Sequence, residues 1–113
     1  MRMDMKLCQE PFEKIASKEK TIELRLYDEK RRMLSVGDKI RFTLVDDDRQ
    51  TIDATVVNLH LFSSFRELFS TDLFCKCGCQ DMSIDQAVNN MRKYYTETQE
   101  EKYGVVGIEI CID

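Results

Sequence analysis

The side chains best suited to chemistry in this sequence lie in one short segment, residues 20–32, where an alternating stretch runs into a basic cluster. Residues 21–27 alternate in the manner of a β-strand, whose neighbouring side chains point to opposite faces. One face is aliphatic and consists of Ile22, Leu24 and Leu26. The other face consists of Thr21, Glu23, Arg25 and Tyr27. Its carboxylate, planar guanidinium and aromatic ring together suit a polar, planar ligand.

The same strand has a second interpretation. Glu23 and Arg25 are two residues apart, close enough on a strand to pair, and an ion pair that faces solvent contributes under about 1 kcal/mol. The basic run at residues 30–32 is likewise typical of a solvated surface. In a regular strand Lys20 would lie on the same face as the aliphatic residues and not beside Glu23. We therefore expect it in the turn or at a twisted strand entrance. A recognition site requires Lys20 and Glu23 to converge in a hollow of the fold.

Charge is distributed unevenly along the chain. The net charge of −4 disfavours nonspecific binding of polyanions. Between Lys14 and Arg41, however, nine basic residues outnumber five acidic ones, so this part carries +4 and the remainder −8. The asymmetry predicts one basic face on an acidic body.

The length of 113 residues fits one compact domain, which we place at residues 1–113. No stretch approaches the roughly 18 apolar residues of a membrane span, and the first residues lack the apolar run of a signal peptide. We therefore expect a cytoplasmic protein that does not contact a membrane. The odd number of cysteines, five, agrees with reduced thiols.

Three of the cysteines, Cys75, Cys77 and Cys79, lie within five residues and raise the question of a metal site. A structural zinc site takes four ligands, usually with two residues between paired cysteines, and the single histidine, His60, lies in a predicted strand. We therefore predict no metal and no cofactor. A reactive or redox-sensitive loop is the alternative interpretation of these thiols.

The hydrophobic pattern predicts strands and helices without the regular strand-helix-strand order of a parallel sheet. Strands are predicted at residues 5–8, 20–27, 39–45, 51–62 and 105–112, and helices begin near Pro11, Phe65, Ser83 and Thr96, the third reaching about Tyr95. Residues 28–34 are predicted as a helical turn and residues 46–48 as a hairpin connection, and strand 51–62 is long enough to need a bend or bulge near Asn58. Five or six strands with helices in the connections predict an α+β fold built on a small mixed β-barrel.

Two parts of the sequence resemble the ASCH domain family, whose fold is a PUA-like β-barrel. They are residues 17–25, Ser-Lys-Glu-Lys-Thr-Ile-Glu-Leu-Arg, with the following residues 36–42, and the late stretch 91–110, which is similar to bacterial members. The family signature, Gly-x-Lys-x-x-Glu, lies in a cleft of the barrel that is thought to face RNA or a nucleotide-like ligand. Lys20 and Glu23 match this signature, while Lys18 occupies the position of its glycine. The resemblance implies one small PUA-like domain over nearly the whole chain.

The resemblance also implies a binding site. In it, Lys20 would contact a phosphate or a carbonyl, Glu23 would accept hydrogen bonds from a base or ribose, and Arg25 would orient Glu23 or contact phosphate. The other predicted ligand-binding residues are Thr21 and Tyr27, and a basic rim made of Lys18, Lys30, Arg31 and Arg32. The expected partner is RNA or a nucleotide-like small molecule, and the expected state is a monomer or a weak homodimer.

Some members of the family are hydrolases, which provides the alternative function. Relatives that cleave the acyl amide of N4-acetylcytidine use the motif lysine, a threonine three residues later and a distant glutamate. This sequence has Lys20 but places Glu23 and Gln80 at the other two positions, so that triad is not retained. Another branch is ribonucleolytic, and for such a reaction Lys20, Glu23 and Tyr27 are the candidate groups. Hydrolysis of a modified nucleoside or of RNA, with Lys20 and Glu23 as catalytic residues, is therefore the second hypothesis.

Overall fold

Five strands and four α-helices build the fold in this computed structural model, which describes residues 2–113. The strands are β1 (Arg2–Leu7), β2 (Ile22–Leu26), β3 (Lys39–Leu44), β4 (Asp47–Phe62) and β5 (Val105–Ile112). The helices are α1 (Gln9–Ala16), α2 (Phe65–Phe69), α3 (Ile84–Met91) and α4 (Glu97–Tyr103). Short 3-10 helices occupy two of the connections, at Arg31–Met33 and Asp72–Lys76.

The strands form one mixed sheet in the order β1-β3-β4-β5-β2. Strand β1 pairs with β3 in parallel, and the other three pairings are antiparallel. The sheet curls into a half-barrel, which confirms the predicted α+β class and barrel-like architecture. Its two edges are β1 and β2, so the chemistry-bearing strand lies at an edge.

The long strand β4 bends because a straight strand of its length does not fit the domain. Its 16 residues would extend for about 50 Å, whereas the longest dimension of the molecule is 33 Å. The pairing with β5 shifts its register between Val56 and Asn58, which confirms the predicted irregularity near Asn58. This bend lets β4 pair with β3 along one half and with β5 along the other.

Two hydrophobic clusters lie on the two sides of β2. The first fills the half-barrel and includes Phe12 and Ile15 of α1 together with Ile40, Phe42 and Ile108 of the sheet. The second packs α2, α3 and the cysteine segment against the aliphatic face of β2, which contributes Ile22, Leu24 and Leu26.

Directly opposed residues of an antiparallel pair share a face, and Glu23 and Arg25 oppose Ile108 and Val106 of the first cluster. The charged face of β2 is therefore turned toward the half-barrel.

The predicted strand at residues 20–27 is too long, because backbone bonds outside the sheet engage its first residues. Strand β2 begins at Ile22. The Lys20 N–H donates to the Lys14 carbonyl, and the Thr21 N–H donates to the Lys76 carbonyl, each at 3.0 Å. Lys20 thus lies in the turn before the strand, one of the two placements expected from the sequence.

Three other boundaries also differ from the prediction. Strand β1 begins at Arg2, earlier than the predicted residue 5, and pairs with β3 from there. Strand β4 begins at Asp47, which leaves a two-residue turn at 45–46 in place of the predicted hairpin connection at 46–48. The helix expected to reach Tyr95 ends at Met91, and a turn at residues 92–94 follows it before Thr96 starts the next helix with a capping box to Gln99.

No helix among residues 2–113 combines the length and apolar character that a membrane crossing requires.

Close packing at Gly107 gives a first testable prediction. A Cβ atom there would lie 3.0 Å from Leu68 Cδ1 and 3.1 Å from Ile22 Cγ2, both in the second cluster. We expect Gly107→Ala to lower the free energy of unfolding by about 1–3 kcal/mol, since overpacking displaces neighbouring side chains. Urea denaturation would measure the change. Cys111→Ala on an exposed site of the same strand is the control, with an expected effect within about 0.5 kcal/mol, and equal values for the two variants would contradict the packing argument.

Candidate ligand-binding cleft

The turn after α1 places Lys20 at the site. Lys18 adopts φ = +69°, in the left-handed region that favours glycine, and its N–H donates to the Ile15 carbonyl at 3.0 Å. The Lys20 N–H then closes onto the Lys14 carbonyl in the last turn of the helix. The backbone of Lys18 therefore has the conformation that a glycine would adopt most easily, although a lysine occupies the position.

Lys20, Glu23 and Arg25 form one buried ionic cluster. Lys20 Nζ lies 3.0 Å from Glu23 Oε1, and the Arg25 guanidinium contacts Glu23 Oε2 at 2.9 Å. The exposed fractions of the Glu23 and Lys20 side chains are only 5% and 10%. Both carboxylate oxygens thus have a cation as partner, which is the condition for keeping a charge inside a protein. The predicted convergence of cation and carboxylate is present in the structure.

The surroundings of Glu23 keep its carboxylate ionised. Burial acts to raise the pKa of Glu23, but the positive charges of Lys20 and Arg25 and their hydrogen bonds outweigh burial, so the pKa lies below its ordinary value of 4.5. Glu23 is therefore a fixed hydrogen-bond acceptor at neutral pH.

Arg25 also spans the gap between the two edges of the sheet. Its Nη2 donates to the backbone carbonyl of Lys6 in β1 at 2.9 Å, while its Nε donates to Glu23 within β2 at 2.9 Å. This side chain consequently links β1 to β2 at a single point. Burial acts to lower the pKa of Arg25, but Glu23 and the nearby Tyr95 raise it.

A concave cleft of about 330 Å³ opens beside this cluster. Lys20, Glu23 and Arg25 line it together with the end of β1, the N-terminal part of α1, the cysteine segment and the region around α3. Further cations at the cleft are Lys6, Lys14 and Lys93, and its aromatic side chains are Tyr94 and Tyr95. A volume at the lower end of the range for small-ligand pockets suits one ligand of nucleoside size.

The cysteine segment at residues 75–79 forms a wall of the cleft. Gly78 has φ = +77° and lies so close to the stem of Lys20 that a Cβ atom would be 3.2 Å from Lys20 Cβ and Cδ. Lys14 Nζ donates to the Gly78 carbonyl at 2.8 Å, which fixes the loop to α1. The glycine is required here for both its backbone conformation and its lack of a side chain.

The thiols in this wall are kept protonated. Burial and the neighbouring Cys79 raise the pKa of Cys77 to about 12, and burial likewise raises the pKa of Cys79. Thiols with raised pKa values are poor nucleophiles and poor metal ligands. Within residues 2–113, no three His, Cys, Asp or Glu side chains form a group that could hold a metal ion.

Tyr94 and Tyr95 occupy different environments at the cleft. Tyr95 is partly buried and stacks on Phe65 with ring centroids 5.7 Å apart. Tyr94 is 56% exposed, with its ring centroid 6.4 Å from that of Tyr95. The Tyr95 ring is thus packed against the protein, and the Tyr94 ring is accessible to a ligand.

The other sequence-predicted site residues lie outside this cleft. Lys18 is exposed in its turn, and Thr21 engages the backbones of Lys76 and Ile110. Tyr27 packs against the first cluster with the Arg32 guanidinium 4.4 Å above its ring, and Arg32 donates to the carbonyls of Tyr27 and Tyr103. Lys30 and Arg31 line a second depression, and Gln80 donates to the Cys75 carbonyl.

Sequence reasoning did not connect several cleft residues with the motif, namely Lys14, Gly78, Lys93, Tyr94 and Tyr95. The paired tyrosines and the clustered cysteines were visible in the sequence, but more than 50 residues separate them from Lys20. Only the packing of the cysteine segment and α3 beside β2 brings them to the cleft.

The left-handed turn gives a second prediction. Lys18→Gly removes about 1–2 kcal/mol of backbone strain while adding about 0.5–1 kcal/mol of unfolded-state entropy, so we expect a small net gain in stability and a higher Tm. Thermal unfolding followed by circular dichroism would measure it. The control, Glu19→Gly, changes an exposed neighbour without a positive φ and should lower the Tm. A lower Tm for Lys18→Gly would show that the side chain matters more than the turn.

The buried carboxylate gives a third prediction, on pH dependence. Glu23→Gln leaves Lys20 and Arg25 without their counter-charge, and we expect a loss of about 3–5 kcal/mol at neutral pH. A carboxylate whose pKa is lowered by folding stabilises the protein above its ordinary pKa of 4.5, and this contribution is lost as the pH falls through the folded pKa.

The difference in stability between wild type and Glu23→Gln should therefore narrow as the pH is lowered from 6 toward 3. Denaturation at several pH values would measure the difference. Glu10→Gln is the matched control, since it removes an exposed carboxylate paired with Lys14, and it should cost under about 1 kcal/mol. A difference for Glu23→Gln that does not vary with pH would contradict the assigned ionisation.

Comparison with known proteins places this geometry in a family. The family model described as ASCH domain matches residues 5–112. The crystal structure of hypothetical protein PH0355 has 36% sequence identity over 100% of both chains, with a TM-score of 0.89. The solution NMR structure of protein PF0455 from Pyrococcus furiosus has 34% identity over 99% of this chain and 97% of that chain, with a TM-score of 0.75.

A more distant structure shares the fold. The crystal structure of ASCH from Zymomonas mobilis has 15% identity, covers 97% of this chain and 66% of that chain, and gives a TM-score of 0.59. No curated protein matches the chain. The chain therefore belongs to the ASCH domain family, and its curled five-stranded sheet with connecting helices is the PUA-like fold of that family.

Proposed function

We propose that this protein binds RNA or a nucleotide-derived small molecule in the cleft beside Lys20, Glu23 and Arg25. The observation that carries the proposal is the buried carboxylate held between two cations within a concave space of about 330 Å³. Clefts with a few convergent polar groups and a perturbed ionisation are the preferred places for recognition. Membership of the ASCH family, which is associated with RNA binding, supports the same function.

The cluster offers complementary groups for a nucleotide. Glu23 is a fixed acceptor, and it can receive a further hydrogen bond from a base amino group or a ribose hydroxyl. Lys20 and Arg25 carry donors beyond those used on Glu23, and these suit a carbonyl or a phosphate oxygen. The exposed Tyr94 ring supplies a surface on which a base can stack.

The charge at the cleft favours an anionic ligand. Five cations line it against two carboxylates, which gives +3 locally on a chain whose net charge is −4. The cations are Lys6, Lys14, Lys20, Arg25 and Lys93, and the carboxylates are Glu10 and Glu23. A positively charged cleft on a negatively charged protein attracts a phosphate to the cleft in preference to the rest of the surface.

The ionisation of the cleft groups favours binding over the hydrolase alternative. A general base works best with a pKa near the operating pH, whereas the pKa of Glu23 is lowered. The thiols of Cys77 and Cys79 have raised pKa values and are poor nucleophiles. These groups suit the recognition of a ligand better than its cleavage.

The proposal gives a fourth prediction, tested with nucleoside 5′-monophosphates. Titration into isotope-labelled protein should shift the amide signals of residues 20–25, 77–79 and 94–95. Lys20→Met keeps the length of the side chain and leaves Glu23 paired with Arg25, but it removes a charged hydrogen bond of about 1.5–3 kcal/mol. We therefore expect the affinity to fall by about ten- to a hundredfold.

The control for this experiment is Lys102→Met, because Lys102 lies on α4 and does not line the cleft. Its affinity should equal that of the wild type, and circular dichroism would verify that both variants are folded. Shifts confined to residues away from the cleft, or equal affinities for the two variants, would refute the proposed site. Release of products from RNA or N4-acetylcytidine by the wild type, lost in Lys20→Met, would establish the hydrolase function instead.

A further inference from the structure

A second depression, which we call the basic groove, adjoins the cleft. Its volume is about 630 Å³, and it is lined by β1, β3, the start of β4 and the turn at residues 30–31. Five cations line the groove, namely Arg2, Lys6, Lys30, Arg31 and Arg41, against the carboxylates Asp4 and Asp48. Lys6 lines both the groove and the cleft, so the two depressions meet at this residue.

Only part of this positive charge is available to a partner. Arg2 pairs with Asp4 at 3.4 Å, Arg31 with Asp28 at 3.4 Å, and Arg41 with Asp53 at 2.7 Å. Lys6 and Lys30 are exposed, and neither forms a salt bridge with any of residues 2–113. The groove therefore presents two free ammonium groups, and one of them belongs to Lys6, the residue that lines both depressions.

We propose that the basic groove holds the phosphate backbone of a single-stranded RNA whose base occupies the cleft. This inference rests on the proposed function and narrows its ligand to a polynucleotide. A strand with one base in the cleft passes Lys6 as it leaves, and the groove beyond provides Lys30 for a further phosphate. Lysine ammonium groups bind phosphates without reading sequence, so they position the strand while the cleft recognises the base.

The distribution of charge on the chain supports this path. The net charge of −4 repels a polyanion from most of the surface. A groove with two free cations that adjoins a cleft of nucleoside size therefore defines a narrow route for a strand. A free nucleotide, in contrast, has no second phosphodiester for Lys30 to contact.

The expected contribution of the groove follows from counterion release. Each phosphate contact made by a single strand changes the slope of log affinity against log salt concentration by about −0.7. Contacts of Lys6 and Lys30 should thus contribute about −1.4, which is about a sevenfold loss of affinity between 50 and 200 mM salt. The increase in affinity from a mononucleotide to an oligonucleotide should therefore weaken with salt to this extent.

The experiment compares RNA oligonucleotides of one, two, four and six residues by fluorescence anisotropy at several salt concentrations. We expect affinity to rise with length in the wild type. In Lys30→Gln the ratio of hexamer to mononucleotide affinity should fall about three- to tenfold, and the salt slope for the hexamer should weaken by about 0.7. Lys102→Gln is the control, since it removes one positive charge outside both depressions and should leave the ratio and the slope unchanged.

The outcomes separate this inference from the proposed function. If mononucleotides bind in the cleft but the hexamer binds no more tightly, the groove is not a backbone site and the proposed function stands. If no RNA or nucleotide binds, the proposed function fails, and this inference fails with it. Equal losses of hexamer affinity in Lys30→Gln and Lys102→Gln would indicate general charge attraction and overturn the inference. Binding of polyglutamate as tight as that of the hexamer would indicate an acidic protein partner and would also overturn it.

Discussion

The buried carboxylate of Glu23 constrains the arrangement of the whole site. An ionised group that is 5% exposed is costly unless its oxygens have charged partners, and here each oxygen has one. Lys20 comes from the turn after α1, and Arg25 comes from β2 and reaches the Lys6 carbonyl of β1. Satisfying one carboxylate therefore holds the end of a helix and both edges of the sheet in fixed relation, and the cleft lies between these elements.

Much of this arrangement was predictable because it depends on local sequence. Aliphatic and polar residues alternate strictly in residues 21–27, so they lie on opposite faces of the strand. The aliphatic residues pack in the second cluster, and Glu23 and Arg25 lie on the other face. Capping boxes at Ser83 and Thr96 correctly indicated where two helices begin, and the length of the strand ending at Phe62 required the bulge found near Asn58. In each case the physical cause lies within a few residues of the feature.

The rest was not predictable because its causes are contacts between distant residues. Local pattern does not reveal that Gly78 lies on the stem of Lys20 or that Tyr95 stacks on Phe65. The basic residues illustrate the same limit, since Arg32 looks like a rim cation but is used on the Tyr27 ring and on two backbone carbonyls. Only contacts across the fold decide which cations remain available to a ligand.

The energetics of the cluster connect its structure with recognition. Replacing a buried ion pair by apolar residues of similar volume is often neutral or stabilising, so stability alone is a weak explanation for enclosing Lys20, Glu23 and Arg25. Their enclosure does produce an acceptor and two sets of donors that are already oriented and partly dehydrated beside an open cleft. A ligand that binds such groups loses less side-chain entropy than one that must order flexible surface residues. The cost of burying these charges is thus incurred during folding, and binding proceeds on a site whose geometry is already set.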